Sequence, residues 1–145
     1  MITEGTLLLV ENDEADAKLF LQAAEELKFN NKVKICKSGE EAIKWLKELG
    51  GQTFLILCDM NMPKMTGMEL KKELENTSKM ANKTIPFVFF STNKDDSLLE
   101  EAYKLGAHGY FLKGNNYQEY IDTLEIIINY WDKSHHPQGR RKDGQ

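Results

Sequence analysis

The chain has 145 residues, 41% of them apolar and 29% charged, with a formal net charge of −4. This is the length and balance of one globular domain with its own core, too short for two. The acidic balance argues against general nucleic-acid binding. The longest apolar runs, such as those at 6–10 and 86–90, fall far short of the ~20 residues that cross a bilayer.

Five strand candidates alternate with five helix candidates. The first strand is Thr6–Val10. The first helix spans about 14–27, where Asp16, Phe20, Ala23, Ala24 and Leu27 recur at helical spacing and the apolar members face inward. The second strand is Lys32–Cys36 and the second helix Gly39–Leu49. Ser38 with Glu41 three residues on reads as a capping box for that helix, and Ala42, Trp45, Leu46 and Leu49 form its apolar stripe.

The third strand is 54–59 and the third helix about 67–77, with Leu70 and Leu74 inward. The fourth strand is 86–91; the fourth helix, about 95–105, puts Leu98, Ala102 and Leu105 on one face. The fifth strand is 108–112. The fifth helix, about 117–135, carries Tyr117, Ile121, Leu124, Ile128 and Trp131 three or four apart. Residues 76–84 form a polar connection, and 137–145 read as a disordered polar and basic tail.

Strict alternation predicts an α/β fold, a parallel sheet with helices on both faces. The runs at 6–10, 54–58 and 86–90 are nearly continuously apolar, as in strands covered on both sides. Lys32, Val33, Lys34 and Ile35 alternate, and 108–112 is mixed, which places the second and fifth strands at the edges. These are the edges of the doubly wound, flavodoxin-like order 2-1-3-4-5, which binds ligands beyond the carboxyl ends of its strands.

The N-terminus lacks a basic segment followed by an apolar stretch, so no secretory leader is expected and the chain reads as cytoplasmic. Cys36 and Cys58 lie in apolar strands and read as buried reduced thiols, with a disulfide between them left open.

The four strand ends carry the chemistry. Glu11-Asn12-Asp13 follows the first strand and Asp59-Met60-Asn61 ends the third. Ser91-Thr92 ends the fourth, and Lys113-Gly114 follows the fifth. Singly, each has a duller explanation: Ser91 a turn residue, Lys113 a surface lysine. Together they would place carboxylates, a hydroxyl and an ammonium group in one bowl. Carboxylates side by side repel unless a hard cation such as Mg²⁺ lies between them, and the same cation neutralises phosphate oxygens. A carboxylate can itself attack phosphorus to form an acyl phosphate.

Four motifs resemble the response-regulator receivers, the chemotaxis-regulator type of fold: "LLLVEND", "ILCDMNMPKMTGMEL", "IPFVFFST" and "LGAHGYFLKG". The resemblance covers about 6–131, within a domain of 1–136. The "FVFFST" and "IIINYW" segments also resemble small regulators associated with bacterial phytochromes. The resemblance implies Asp59 as phospho-acceptor, Ser91 as switch hydroxyl, Lys113 as phosphate-pairing lysine and Tyr110 as switch aromatic. It implies Mg²⁺ or Mn²⁺ on Glu11, Asp59 and the Asn61 carbonyl. It implies Pro63 and Gly67 as shapers of the acceptor loop. A sensor histidine kinase or phosphotransfer protein would be the donor and a downstream protein the target, in a phosphorelay without a DNA-binding domain. The face of the fourth helix, fifth strand and fifth helix would be the output surface, with a homodimer as one use of it.

Two positions depart from the family. Its second acid is replaced by Asn12, whose amide oxygen can ligate a cation without contributing a full charge; Asp13 is the alternative ligand but would need a turn in the backbone. Its proline after the lysine is replaced by Gly114, so a trans bond and a looser loop before the fifth helix are expected. These departures leave room for a rival reading, a receiver-like protein-binding module that works without phosphorylation. An enzyme on the same architecture, such as a flavin carrier, is disfavoured by the acidic turn at 11–14, which lacks phosphate-cradling glycines.

Overall fold

The computed structural model describes residues 2–49, 52–77, 85–135 and 140–141. Its elements are β1 (Ile2–Glu4), β2 (Thr6–Val10), α1 (Glu14–Glu26), β3 (Lys32–Cys36), α2 (Gly39–Leu49) and β4 (Thr53–Cys58). They continue with α3 (Gly67–Glu75), β5 (Phe87–Ser91), α4 (Asp96–Lys104), β6 (Gly109–Leu112), α5 (Tyr117–Lys133) and β7 (Arg140–Arg141). The main sheet is parallel, in the order β3-β2-β4-β5-β6. Counting only its own strands, this is 2-1-3-4-5, the flavodoxin-like order expected from the apolar patterning.

The patterning follows from what covers each strand. Every residue of β2, β4 and β5 is buried, because helices lie on both faces. In β3 only Cys36 is buried, and the two lysines face solvent. One face of the sheet packs Leu8, Ile56 and Phe89 against Ala42 and Leu46 of α2, Leu70 of α3 and Ala102 of α4. The other packs Leu7, Leu57 and Phe90 against Phe20 of α1 and Leu124 of α5. Each large apolar side chain so buried is worth roughly 1.5–3 kcal/mol, which fixes register and hence the height of each strand end.

Helix caps set the entry points. Asp13 caps α1, Thr66 and Glu69 form a reciprocal box at α3, Asp95 caps α4 and Asn116 caps α5. At α2, Ser38 accepts from Glu41 N at 3.1 Å, while the Glu41 carboxylate accepts from Lys37 N at 3.2 Å, one residue before the expected cap.

A second, two-stranded antiparallel sheet pairs β1 with β7. The sequence shows neither strand: both are short and lack alternation. Arg140–Arg141 falls within the stretch read as a disordered tail, and its pairing with β1 is a finding that reading does not include. Residues 137–139, 142–145 and most of the polar connection, 78–84, lie outside the described residues.

Cys36 and Cys58 are buried free thiols, raised in pKa chiefly by burial, Cys36 to about 11. Both sit beside Val10, on opposite sides. Two strand spacings, ~9.6 Å, separate them, beyond the reach of a disulfide. Among the described residues, no helix is long and apolar enough to cross a membrane.

Candidate functional site

The residue just past each strand is still bound to its neighbour strand. Glu11 N donates to the Cys36 carbonyl at 2.9 Å, Asp59 N to Val10 at 3.0 Å and Lys113 N to Ser91 at 2.8 Å. The backbone under these three side chains is therefore part of the sheet ladder. Ser91 is the last residue of β5 and fully buried.

The side chains meet in two linked groups. Ser91 Oγ donates to Asp59 Oδ1 at 3.0 Å. Lys113 Nζ donates to Glu11 Oε1 at 2.6 Å and to Asp16 Oδ2 at 3.2 Å, and Glu11 Oε2 accepts from Asp13 N at 3.2 Å. Lys113 makes no hydrogen bond to Asp59 among the described contacts; the two groups act on each other through charge. Glu11 and Lys113 are only 3% and 6% exposed, and such burial is tolerable because they are paired.

Burial works to lower the Lys113 pKa. The hydrogen bond to Glu11 and the charges of Glu11, Asp59 and Asp16 outweigh it, so the ammonium is held above the ordinary lysine value. Burial pushes the Glu11 carboxyl up, and the Asp59 charge adds to this against the pull of Lys113.

The loop after β4 is shaped by close approach. Gly67 N donates to the Met60 carbonyl at 2.9 Å. A Cβ on Gly67 would collide with the Asp59 carbonyl oxygen and lie 2.9 Å from Phe89 Cε1. Lys64, beside Pro63, takes the left-handed conformation, φ 68°. Met60, Met62 and Met68 are buried in the core, so they pack and do not present a methionine surface. Met65 lies against Gly39 at the start of α2, where a Cβ would strike its sulfur.

Asn12 is exposed, and its Nδ2 donates to the Lys37 carbonyl at 3.3 Å. Asp13 Oδ1 accepts from Asp16 N at 3.0 Å, so that oxygen serves the cap of α1. Asn61 is exposed in the loop after β4. Tyr110 is half-buried with its ring 5.7 Å from that of Phe89, and its hydroxyl donates to the Asn93 carbonyl at 2.7 Å.

Gly114 has φ 86° and follows a trans bond, but the loop it opens is not loose. Asn115 N donates to Glu119 Oε1 at 2.7 Å, and Glu119 N donates to Asn116 Oδ1 at 2.9 Å. The expected slackness is replaced by these bonds and by a glycine that lets Glu119 approach.

Asp16 is the site residue that the sequence hides. It stands three residues after the cap of α1, where an acid ordinarily serves the helix N-terminus. Only the fold brings it to Lys113, 97 positions away.

Among the described residues, no group of three or more His, Cys, Asp and Glu side chains is placed to hold a metal. Glu11 and Asp59 bring two carboxylates to the same strand ends, with the Ser91 hydroxyl beside Asp59. That suits Mg²⁺ or Mn²⁺, since a hard cation is commonly held by one or two carboxylates and keeps several waters.

The sequence profile of the response regulator receiver domain matches residues 7–125. The probable methanogenesis regulatory protein FilR2 of Methanothrix harundinacea is 30% identical over 129 residues, covering 86% of this chain and 82% of that protein. The response regulator Rcp1 of Synechocystis is 26% identical, covering 86% and 87%. Among solved structures, the phosphorylated cyanobacterial phytochrome response regulator RcpA superposes with a TM-score of 0.83 at 26% identity, over 93% of this chain and 99% of that one. The Mn²⁺-bound form of Rcp1 gives 0.78 at 27% identity, over 92% and 99%. The chain belongs to the response regulator receiver domain family, the signalling modules of two-component systems.

Proposed function

We propose that Asp59 accepts a phosphoryl group from a phosphohistidine of a sensor kinase or phosphotransfer protein. The observation that carries this is the Ser91–Asp59 hydrogen bond of 3.0 Å beside the buried Lys113–Glu11 pair of 2.6 Å. A hydroxyl then bonds the acceptor carboxylate, and a held ammonium and a second carboxylate act on it through charge.

The Asp59 carboxylate attacks phosphorus in line, the new O–P bond forms, and the P–N bond to the donor imidazole breaks with its electron pair leaving on nitrogen. Glu11, Asp59, the Asn61 carbonyl and the Asn12 amide oxygen are the groups that would hold Mg²⁺, which supplies charge neutralisation on the transferred oxygens. Phosphorylation replaces one carboxylate charge with roughly 1.5 to 2 on the phosphoryl group. Ser91 and Lys113 turn to meet it. Tyr110, tied to Asn93 and packed on Phe89, follows the loop after Ser91 and repacks on the α4–β6–α5 face. Tyr103, Leu112, Ile126 and Tyr130 are exposed on these elements, an output surface for a second copy or a downstream protein.

The test is incubation with acetyl phosphate, in Mg²⁺ and in chelator, read by intact mass. Wild type gains one phosphoryl group only with metal, and Asp59→Asn gains none. Labelling of Asp59→Asn would remove the acceptor assignment. An unlabelled wild type, beside a competent receiver that does label, would favour a phosphorylation-independent binding module.

A further inference from the structure

Both oxygens of Glu11 are already engaged, Oε1 by Lys113 and Oε2 by Asp13 N. A divalent cation on Glu11 would compete with Lys113 for the same carboxylate charge, and the Lys113 pairing would weaken as the cation binds. Removing one partner from a buried pair is costly, because it strands the other charge. Lys113 is 6% exposed, so water does not replace the lost carboxylate.

Asp16 removes this conflict. Its Oδ2 lies 3.2 Å from Lys113 Nζ, and its side chain is 35% exposed, so its own charge is cheaply solvated at the rim. Its backbone is held in the first turn of α1 by the bond from Asp16 N to Asp13 Oδ1 at 3.0 Å. The ammonium thus already has a second carboxylate partner, carried on the first turn of α1 and not at a strand end. The geometry points to Asp16 as a positioning residue that keeps Lys113 paired when Glu11 turns to a divalent cation. Asp16 itself need not touch the cation. The acid missing at position 12 makes this more consequential, since Glu11 is then the main charged ligand beside Asp59.

This rests on the reading that Glu11 and Asp59 hold the cation, and the test separates the two. Mn²⁺ affinity is measured by calorimetry on unphosphorylated full-length protein, with near-ultraviolet circular dichroism to confirm folding. Asp16→Asn weakens Mn²⁺ binding about five- to tenfold, because Lys113 then competes for Glu11 alone. Asp16→Glu recovers most of the loss. Lys113→Met binds Mn²⁺ more tightly than wild type, and adding Asp16→Asn to it changes the affinity by less than about twofold. Lys113→Gln takes its place if Lys113→Met does not fold. Equal weakening by Asp16→Asn with and without Lys113 would overturn the inference, since Asp16 would then act only through its long-range field. An unchanged affinity in Asp16→Asn would overturn it too. A wild type that binds no Mn²⁺ would instead sink the metal reading on which it stands.

Discussion

Ser91 Oγ donates to Asp59 Oδ1 at 3.0 Å, joining the ends of β5 and β4 across 32 positions of sequence. The bond ties the Asp59 carboxylate to the loop whose Asn93 carbonyl holds the Tyr110 hydroxyl at 2.7 Å. A change at Asp59 therefore has a short covalent and hydrogen-bonded route to the α4–β6–α5 face. Two adjacent buried strands make that route stiff, so a small displacement of Ser91 is not absorbed locally.

Replacing Ser91 by Ala separates acceptance from response. Asp59 is part-exposed and water can take the vacated place, so the cost in stability is about 1 kcal/mol, read from the urea midpoint. Acetyl phosphate still labels Asp59, but amide shifts of Asn93 and Tyr110 on phosphorylation shrink. Undiminished shifts in the labelled variant would show that Tyr110 does not take its signal through Ser91.

Placing a proline at position 114 damages this protein. Gly114 has φ 86°, whereas proline is locked near −65°. A Cβ there would also lie 2.6 Å from Glu119 Cβ, and Glu119 holds Asn115 N. Gly114→Pro is expected to lower stability by more than about 1 kcal/mol. A urea midpoint equal to wild type would mean that the loop can rebuild without Glu119.

The sheet order was legible because burial writes itself into composition. Leu7–Leu8–Leu9 and Phe87–Val88–Phe89 have no polar member, while Lys32 and Lys34 mark an open face. Once order was known, the residues after the strands had to converge, and Asp59 meets Ser91 as Glu11 meets Lys113. What pattern cannot supply is which charges pair across elements. Asp16 reaches Lys113 from the first turn of α1, where its local reading as a helix-terminus acid is complete in itself. Buried Lys71 is equally silent in sequence: it sits on α3 with Glu75 at 2.8 Å and lies over the Phe87 ring, where a lysine on a helix would ordinarily face water. The β1–β7 pair is too short to carry a period at all.

Alkaline stability should be governed in part by Tyr120. Its phenol is 3% exposed, and burial, helped by the charges of Asp16 and Glu11, raises its pKa well above the usual tyrosine value. The unfolded phenol ionises near pH 10 while the folded one stays protonated. Unfolding then releases a proton, so stability falls as pH rises above about 10, by up to ~1.4 kcal/mol per pH unit. Lys113, also raised, adds to the decline, because its contribution to stability falls as pH climbs from the unfolded value of 10.5 through the higher folded one. Urea titrations at pH 9 to 11 (roughly spanning the unfolded phenol pKa) should show a shallower decline in Tyr120→Phe than in wild type. Parallel declines would place the alkaline loss on other groups.

Asn12→Asp should strengthen cation binding at a small cost to the fold. The amide now donates from Nδ2 to the Lys37 carbonyl at 3.3 Å, a long bond on an exposed residue, so its loss costs no more than about 0.5 kcal/mol. The gain is a third carboxylate near Glu11 and Asp59, and ligand charge raises affinity for a hard cation. Mutual repulsion of the carboxylates makes the metal-free form less stable, while the bound form is relieved of it. Mn²⁺ affinity should therefore rise about three- to tenfold, and the gap between melting temperatures with and without metal should widen. An unchanged Mn²⁺ affinity would mean that residue 12 does not face the cation, and would move the second ligand position elsewhere in the 11–13 turn.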